Sequence, residues 1–136
     1  MSNPQQTLSI IKPDAVERNL TDEIKEIFVK NNLKIKEDKK IQISNEEAAE
    51  FYKVHQSKPF YDDLCAYLSS GPIVVMILEG ENAVLLNRDL MGATDPKKAD
   101  ENTIRKLYGI SIDKNSVHGS DSVENAKKEI NFFFKS

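Results

Sequence analysis

An unbroken apolar run, Ile73-Val74-Val75-Met76-Ile77-Leu78, constrains the fold of this chain more than any other feature of its sequence. It shows no alternation between apolar and polar residues, which is typical of a central β-strand covered on both faces. Ser70-Gly71-Pro72 precedes the run and Glu79-Gly80 follows it. Because glycine and proline interrupt regular structure, the sequence predicts a buried strand bounded by turns.

Other apolar patterns predict the elements around this strand. Residues 8–11 form a short apolar run that stops at Lys12-Pro13-Asp14, which indicates a second buried strand. Leu33, Ile35, Ile41 and Ile43 are all at odd positions, separated by charged or polar residues, and predict one strand or the arm of a bulged hairpin. Amphipathic helices are expected after an N-cap at Thr21, after a capping box from Ser44 to Glu47, over residues 61–68 and 83–91, and after residues 120–122.

The order of these elements predicts the fold class. Strand, helix, strand, helices, strand, helix is the pattern of an α+β sandwich, with helices on one face of a mainly antiparallel sheet, as in the ferredoxin-like βαββαβ fold. Residues 93–119 are rich in polar residues and glycine, so we expect a functional loop there with one short helix near Leu107. At 136 residues, the chain is expected to form a single domain over positions 1–136.

Charge and cysteine content narrow the possible functions. The chain has 19 Lys and Arg against 22 Asp and Glu, a formal net charge of -3. This balance disfavours a general nucleic-acid binder, which needs many basic contacts to phosphate, so no nucleic acid is expected as the main partner. Cys65 is the single cysteine and cannot form an internal disulfide. With neither a signal-peptide pattern nor a membrane-span pattern in the sequence, we expect a cytoplasmic protein in a reducing compartment.

Few residues stand out as candidates for chemistry. Of the three arginines, Arg88 and Arg105 could bind phosphate in bidentate fashion or form surface ion pairs. His118, flanked by Gly119 and followed by a predicted helix start, could act as a nucleophile, as a general base or as a loop residue only. Glu129 could lie on a solvated helix face or hold one nitrogen of an imidazole. The second histidine, His55, is expected at the surface, at a helix end.

Six motifs occurring in order resemble the nucleoside diphosphate kinase family over roughly residues 7–134. They are Ile11-Lys12-Pro13-Asp14, Ser70-Gly71-Pro72, Asn87-Arg88-Asp89, Gly92-Ala93-Thr94-Asp95-Pro96, Thr103-Ile104-Arg105 and His118-Gly119-Ser120-Asp121-Ser122. The resemblance implies the ferredoxin-like fold and transfer of the terminal phosphoryl group of ATP or another nucleoside triphosphate to a nucleoside diphosphate. It also implies a ping-pong route through phosphohistidine, broad base specificity, a role in maintaining nucleotide pools and a homo-oligomer, either tetramer or hexamer.

The resemblance also assigns roles residue by residue. His118 would be the nucleophile, phosphorylated at its pros nitrogen, and Glu129 would orient its imidazole. Tyr52 would lie close to the histidine and order the site. The residues expected to bind the nucleotide are Lys12, Arg88 and Arg105 for phosphate charge, Thr94 as a hydroxyl donor, Asn115 with Lys12 near the sugar 3′-hydroxyl, and Phe60, Leu64 and Ile112 around the base. Mg²⁺ would be held by the nucleotide phosphates, with Asp121 as the candidate for a water-mediated contact.

The sequence departs from the family pattern in one segment. Asn102 stands where relatives usually have glycine, and Lys106-Leu107-Tyr108 stands where they usually have Gly-Asp-Phe. In the family, this segment carries the phosphate-binding arginine and packs against neighbouring subunits. There are therefore two alternatives to the hypothesis of an active enzyme. One is a regulatory module that binds nucleotide without turnover, and the other is a nucleic-acid-binding regulator, which the acidic charge balance disfavours.

Overall fold

A computed structural model of the chain describes residues 5–53, 56–59, 61–111 and 114–134. Four strands and seven α-helices follow one another in the described ranges. In chain order they are β1 (Gln5–Ile11), α1 (Pro13–Glu17), α2 (Thr21–Lys30), β2 (Lys34–Ile41), α3 (Asn45–Phe51), α4 (Tyr61–Leu68), β3 (Ile73–Gly80), α5 (Ala83–Met91), a 3₁₀ turn at Pro96–Lys98, α6 (Ile104–Tyr108), β4 (Val117–Gly119) and α7 (Val123–Phe133).

The four strands form one antiparallel sheet in the order β2-β3-β1-β4. The apolar run of β3 lies in the interior of this sheet, between β2 and β1, as its sequence predicts. β2 is a single strand with a register shift between Ile35 and Glu37, so the predicted bulge is present within it. The α+β sandwich with ferredoxin-like βαββαβ order is confirmed.

Helices cover both faces of the sheet, so the prediction of helices on one face only was wrong. Val74, Met76 and Leu78 of β3 pack in one core with residues of α2, α5 and α6. Ile73 and Val75 point the other way and pack with residues of α3, α4 and α7. Successive side chains of a strand point to opposite faces, so an apolar run without alternation needs a core on each side.

Side-chain caps fix where α3 and α7 begin. Ser44 accepts a hydrogen bond from the backbone N–H of Glu47, whose carboxylate accepts one from the Ser44 N–H, which confirms the predicted capping box. Ser122 caps α7 by accepting from the N–H of Asn125. The N-cap predicted at Thr21 was one residue off, because α2 includes Thr21 and follows Leu20, which offers no side-chain cap.

In the parts of the chain that the structure describes, no helix is both long enough and apolar enough to cross a bilayer.

Candidate active site

His118 lies in strand β4, whereas the sequence predicts a loop at this position. Its register partner is Ile10 of β1. Beyond the strand, the N–H of Lys12 donates to the carbonyl of Ser116 at 2.8 Å, and the N–H of Ser120 donates to the carbonyl of Leu8 at 3.2 Å. Pairing with the buried strand β1 therefore fixes the backbone on both sides of the histidine.

The carboxylate of Glu129 holds one nitrogen of this histidine. Nε2 of His118 lies 2.8 Å from Oε1 of Glu129, and the two side chains are 23% and 19% exposed. The hydroxyl of Ser120 donates to the same Oε1 at 3.1 Å. Because a carboxylate accepts from Nε2–H, the neutral imidazole keeps its lone pair on Nδ1. Glu129 lies in α7, 11 residues after His118 in the sequence. Its proximity to His118 therefore comes from the packing of α7 on the sheet.

Aromatic rings pack against the histidine from the end of α3. The ring centroid of Phe51 lies 5.3 Å from that of His118 in an edge-on geometry, and the ring of Tyr52 lies 5.1 Å from that of Phe51. Tyr52 is 6% exposed, and its burial raises the pKa of its hydroxyl, with smaller contributions from Cys65 and Glu129. Tyr52 therefore lies near the histidine site, but the sequence missed Phe51, the ring in contact with the imidazole.

Lys12 and Asn115 come together beside β4. Lys12 is 6% exposed, and its Nζ donates to Oδ1 of Asn115 at 2.9 Å. The Asn115 amide donates in turn to the carbonyl of Thr94 at 3.0 Å. Lys12 follows Ile10 by two residues, and Ile10 pairs with His118, so the extended backbone places Lys12 on the same side of the sheet as the histidine.

The guanidinium of Arg105 is fixed next to the histidine strand. Nη1 donates to the carbonyl of Gly92 and Nη2 to the carbonyl of Val117, both at 3.0 Å. Burial, and after it the charge of Arg88, lowers the pKa of Arg105 to about 10, which leaves the group charged at neutral pH. Asn102, where the family usually has glycine, has a φ of 71°, a left-handed conformation that asparagine tolerates. This substitution therefore leaves the turn before α6 free of a steric conflict.

The other predicted nucleotide-binding residues differ in how they are placed. Arg88 is exposed in the last turn of α5, and Thr94 is exposed in the loop after it. Leu64 is half-buried against the core beneath α3 and α4. Phe60 and Ile112, the two other residues predicted around the base, lie outside the described residues, as does His55.

Asp121 follows β4 and faces Asn125 of α7. Its carboxylate accepts from the Asn125 amide at 2.6 Å. The hydrogen bond from Asn125 is the largest cause lowering the pKa of Asp121, and the charge of Arg88 adds to it, so the group is an anion at neutral pH. Among the described residues, no group of three or more His, Cys, Asp and Glu side chains is placed to hold a metal ion.

The segment before His118 contains a backbone turn that the sequence did not predict. Ser116 has a φ of 75°, and the N–H of Val117 donates to the carbonyl of Asn115 at 2.9 Å. Together these define a γ-turn of the less common, strained kind. We call residues 115–117 the Ser116 turn. Serine is not among the residue types that favour positive φ, so neither composition nor periodicity indicated this turn.

Gly119 allows α5 to approach the histidine strand closely. A Cβ atom on this residue would lie 2.3 Å from Nδ2 of Asn87 and 2.8 Å from Cε of Met91. Both contacts are too short for a real Cβ atom, so any other residue here would displace the side chains of Asn87 and Met91. The glycine next to the histidine therefore sets the distance between β4 and the helix that carries Arg88.

A histidine held by a carboxylate, with cationic side chains placed around its strand, is the arrangement expected of a phosphotransferase on an α+β scaffold. A family model described as nucleoside diphosphate kinase matches residues 5–136. The chain therefore belongs to the nucleoside diphosphate kinase family, and its function is that of a nucleoside diphosphate kinase.

Individual relatives agree with this assignment over nearly their whole length. Nucleoside diphosphate kinases of Nitratiruptor sp. and of Wolinella succinogenes are each 59% identical over 130 residues, covering 96% of this chain and 95% of theirs. The structure superposes on the crystal structure of the Aquifex aeolicus nucleoside diphosphate kinase with a TM-score of 0.95 at 40% identity, covering 98% of this chain and 96% of that one. For the apo enzyme of Encephalitozoon cuniculi, the TM-score is 0.94 at 36% identity, with 97% and 90% covered.

Proposed function

We propose that this nucleoside diphosphate kinase works by a ping-pong route with His118 as the group that carries the phosphoryl between two nucleotides. The observation that carries the proposal is the 2.8 Å contact between Nε2 of His118 and the Glu129 carboxylate. It reserves Nδ1 as the attacking atom, because a nitrogen whose proton is donated to a carboxylate has no lone pair to offer.

In the first half-reaction, the lone pair of Nδ1 attacks the terminal phosphorus of the donor, and the bond to the bridging oxygen breaks. The nucleoside diphosphate leaves with the electron pair of that bond. Glu129 stabilises the positive charge that develops on the imidazole as the N–P bond forms. In the second half-reaction, a terminal phosphate oxygen of the acceptor diphosphate attacks the same phosphorus and the N–P bond breaks.

The cations around β4 supply the charge stabilisation that phosphoryl transfer needs. Negative charge spreads over the equatorial oxygens of the transferred group, and fixed positive charges lower the barrier most when they need no reorganisation. Arg105 is held by two backbone carbonyls and Lys12 by Asn115, so both are in place before substrate arrives. Arg88 and the Thr94 hydroxyl, both exposed, complete the phosphate contacts in this proposal.

The nucleoside would be bound chiefly by packing around its base, with polar contacts at its sugar. Asn115 and Lys12 would contact the region of the sugar 3′-hydroxyl, and Phe60, Leu64 and Ile112 would enclose the base. Stacking on apolar and aromatic side chains uses the face that every base has, so the enzyme is expected to accept purines and pyrimidines.

The residues present fit a magnesium ion carried in with the nucleotide. Mg²⁺ keeps several waters and needs only one or two protein carboxylates besides the substrate phosphates. Asp121 is ionised next to the histidine strand and could meet such an ion through water. When bound, the ion would neutralise phosphate charge and align the phosphate chain.

Four wider expectations belong to this proposal. The whole chain, residues 1–136, acts as a single nucleoside diphosphate kinase domain in the cytoplasm, with no nucleic acid as its main partner. It forms a homo-oligomer, either tetramer or hexamer. Support for the assembly comes from Leu107 and Ile110, which are 51% and 57% exposed in and after α6. Large apolar side chains exposed at neighbouring positions of the sequence are consistent with an interaction surface.

The test compares the wild type with His118→Ala in a steady-state assay of phosphate exchange between ATP and several nucleoside diphosphates. His118→Ala should bind nucleotide normally, since the cations remain, and lose exchange. Exchange retained by this variant would refute the nucleophile assignment. Binding without exchange by the folded, magnesium-loaded wild type would instead favour the regulatory module.

A further inference from the structure

The Ser116 turn connects the two halves of the site. On one side of Ser116, Asn115 binds the Lys12 ammonium and the carbonyl of Thr94. On the other side, Val117 accepts a hydrogen bond from Arg105 and leads into His118. The backbone angles of Ser116, which lies between Asn115 and the strand residue Val117, therefore help to set the position of Asn115 relative to His118.

Those angles are unfavourable for serine. Its φ of 75° lies in the region that side chains bearing a Cβ rarely adopt, and the side chain is fully buried. A backbone of this kind persists only when the surrounding groups determine it. One such group is the N–H of Lys12, which donates to the Ser116 carbonyl at 2.8 Å, and the others hold the Ser116 side chain.

A buried carboxylate holds the Ser116 side chain. The Ser116 hydroxyl donates to Oδ2 of Asp14 at 3.0 Å, and Asp14 is 6% exposed. Arg18 donates to the same Oδ2 at 3.1 Å and to the carbonyl of Tyr108 at 2.6 Å. The Tyr67 hydroxyl donates to Oδ1 of Asp14. We call Asp14, Arg18, Tyr67 and Ser116 the Asp14 cluster.

The cluster joins parts of the chain that are far apart in sequence. Tyr67 belongs to α4, Asp14 and Arg18 lie in and after α1, and the carbonyl of Tyr108 is at the end of α6. Burial and the hydrogen bond to Asp14 raise the pKa of the Tyr67 hydroxyl, so it remains a donor throughout the neutral range. Both oxygens of the Asp14 carboxylate are thus satisfied by groups from three different segments.

We propose that the Asp14 cluster is a positioning device for the reaction: Asp14, fixed by Tyr67 and Arg18, holds the Ser116 hydroxyl and so keeps Asn115 and Lys12 in register with His118. The inference rests on the proposed function, because it assumes that Asn115 and Lys12 bind the nucleotide and His118 accepts the phosphoryl group. It predicts that loss of the cluster harms the placement of the nucleotide and leaves the imidazole in place, since pairing with β1 and Glu129 hold His118 independently.

The test uses two substitutions at one position. Ser116→Ala removes the hydroxyl but keeps a Cβ at positive φ, so the turn should relax to other angles. Ser116→Gly also removes the hydroxyl, but glycine adopts positive φ without a steric penalty, so the turn should survive without the cluster. Phosphorylation of His118 is measured in a single turnover with Mg-ATP and, separately, with phosphoramidate, a small phosphoryl donor that lacks a nucleoside.

We expect Ser116→Ala to slow phosphorylation by Mg-ATP about tenfold or more, since small displacements of a binding group have effects of this size. The rate with phosphoramidate should change less than about twofold, and Ser116→Gly should recover most of the rate with Mg-ATP. Ser69→Ala is the matched control, because in the part of the chain that the structure describes the Ser69 hydroxyl donates only to carbonyls of the preceding helix α4.

Two results would overturn the inference while leaving the proposed function intact. One is an equal loss with both donors in Ser116→Ala, which would mean that the turn positions the imidazole or supports only folding. The other is no rescue by glycine. If Ser116→Ala does not fold, Tyr67→Phe removes a different donor of the cluster, and the same selective loss with Mg-ATP is required of it. A wild type that Mg-ATP does not phosphorylate would refute the proposed function itself.

Discussion

The Glu129 carboxylate lies 2.8 Å from Nε2 of His118 and accepts a second hydrogen bond, from the Ser120 hydroxyl, on the same oxygen. The pair joins the last helix to the edge strand of the sheet. Two donors on one oxygen fix the direction of the carboxylate, and the carboxylate fixes the tautomer of the imidazole.

Removing the charge of this carboxylate should slow the reaction without unfolding the protein. Glu129→Gln keeps the size of the side chain but no longer stabilises the positive imidazole, so the rate of phosphohistidine formation should fall about 10²-fold. The measurement is a single-turnover rate with Mg-ATP. Glu124→Gln, on the exposed first turn of the same helix, is the control and should keep the wild-type rate. Equal rates for the two variants would remove Glu129 from the mechanism.

The two carbonyl contacts of Arg105 predict that lysine cannot replace it. A lysine ammonium is a single point charge and cannot reach both Gly92 and Val117 in the geometry of a guanidinium. Arg105→Lys should therefore lower kcat/KM by about tenfold or more. Lys106→Ala, at the exposed neighbouring position, should leave kcat/KM unchanged. A fully active Arg105→Lys variant would show that the guanidinium geometry is irrelevant.

Close packing at Gly119 predicts a large cost for the smallest possible substitution. In Gly119→Ala, the new methyl group would press on Asn87 and Met91, and the variant should lose about 1–3 kcal/mol in free energy of unfolding. Urea denaturation measures this loss. Gly71→Ala is the control, since its added Cβ would meet only Pro13 at an ordinary 3.7 Å. Similar stability of the two variants would contradict the packing argument.

The lowered pKa of Asp121 predicts a pH-dependent effect at Asn125. A carboxyl group whose pKa falls on folding stabilises the folded state above its unfolded pKa, about 3.9, and this contribution disappears as the pH falls through the lower folded value. Asn125 supplies the largest part of the shift. Asn125→Ala should therefore destabilise the protein more at about pH 7 than at about pH 2.5.

Urea unfolding at both pH values checks the effect at Asn125. In an Asp121→Asn background, the pH-dependent part of the Asn125→Ala effect should vanish. If it persists there, another group is responsible for it.

The sequence predicted the parts of the fold that depend on local patterns. The apolar run of β3 and the capping box at Ser44 are signals within a few residues, and both are present in the structure. The strand at His118 escaped prediction because three residues are too few to show a period of two. The order of the elements led to a prediction of helices on one face of the sheet only. The apolar run of β3 by itself indicated a core on each face, which the structure has.

Features of the site that arise from tertiary packing could not be read from the sequence. Ser120 approaches Glu129 only because α7 packs on the sheet against β1, and Phe51 contacts the imidazole from α3. The Ser116 turn has no residue type that indicates positive φ. The resemblance to the family supplied the roles of the predicted residues, whereas the contacts that hold those residues come from the packing of separate elements.

The ping-pong route through His118 is tested most directly by the intact mass of the wild type after brief incubation with Mg-ATP at neutral pH. This route predicts one added phosphoryl group, labile to acid, absent in His118→Ala, and discharged by either GDP or UDP. No added mass on a protein shown to bind ATP, or a phosphoryl group that persists in His118→Ala, would contradict it.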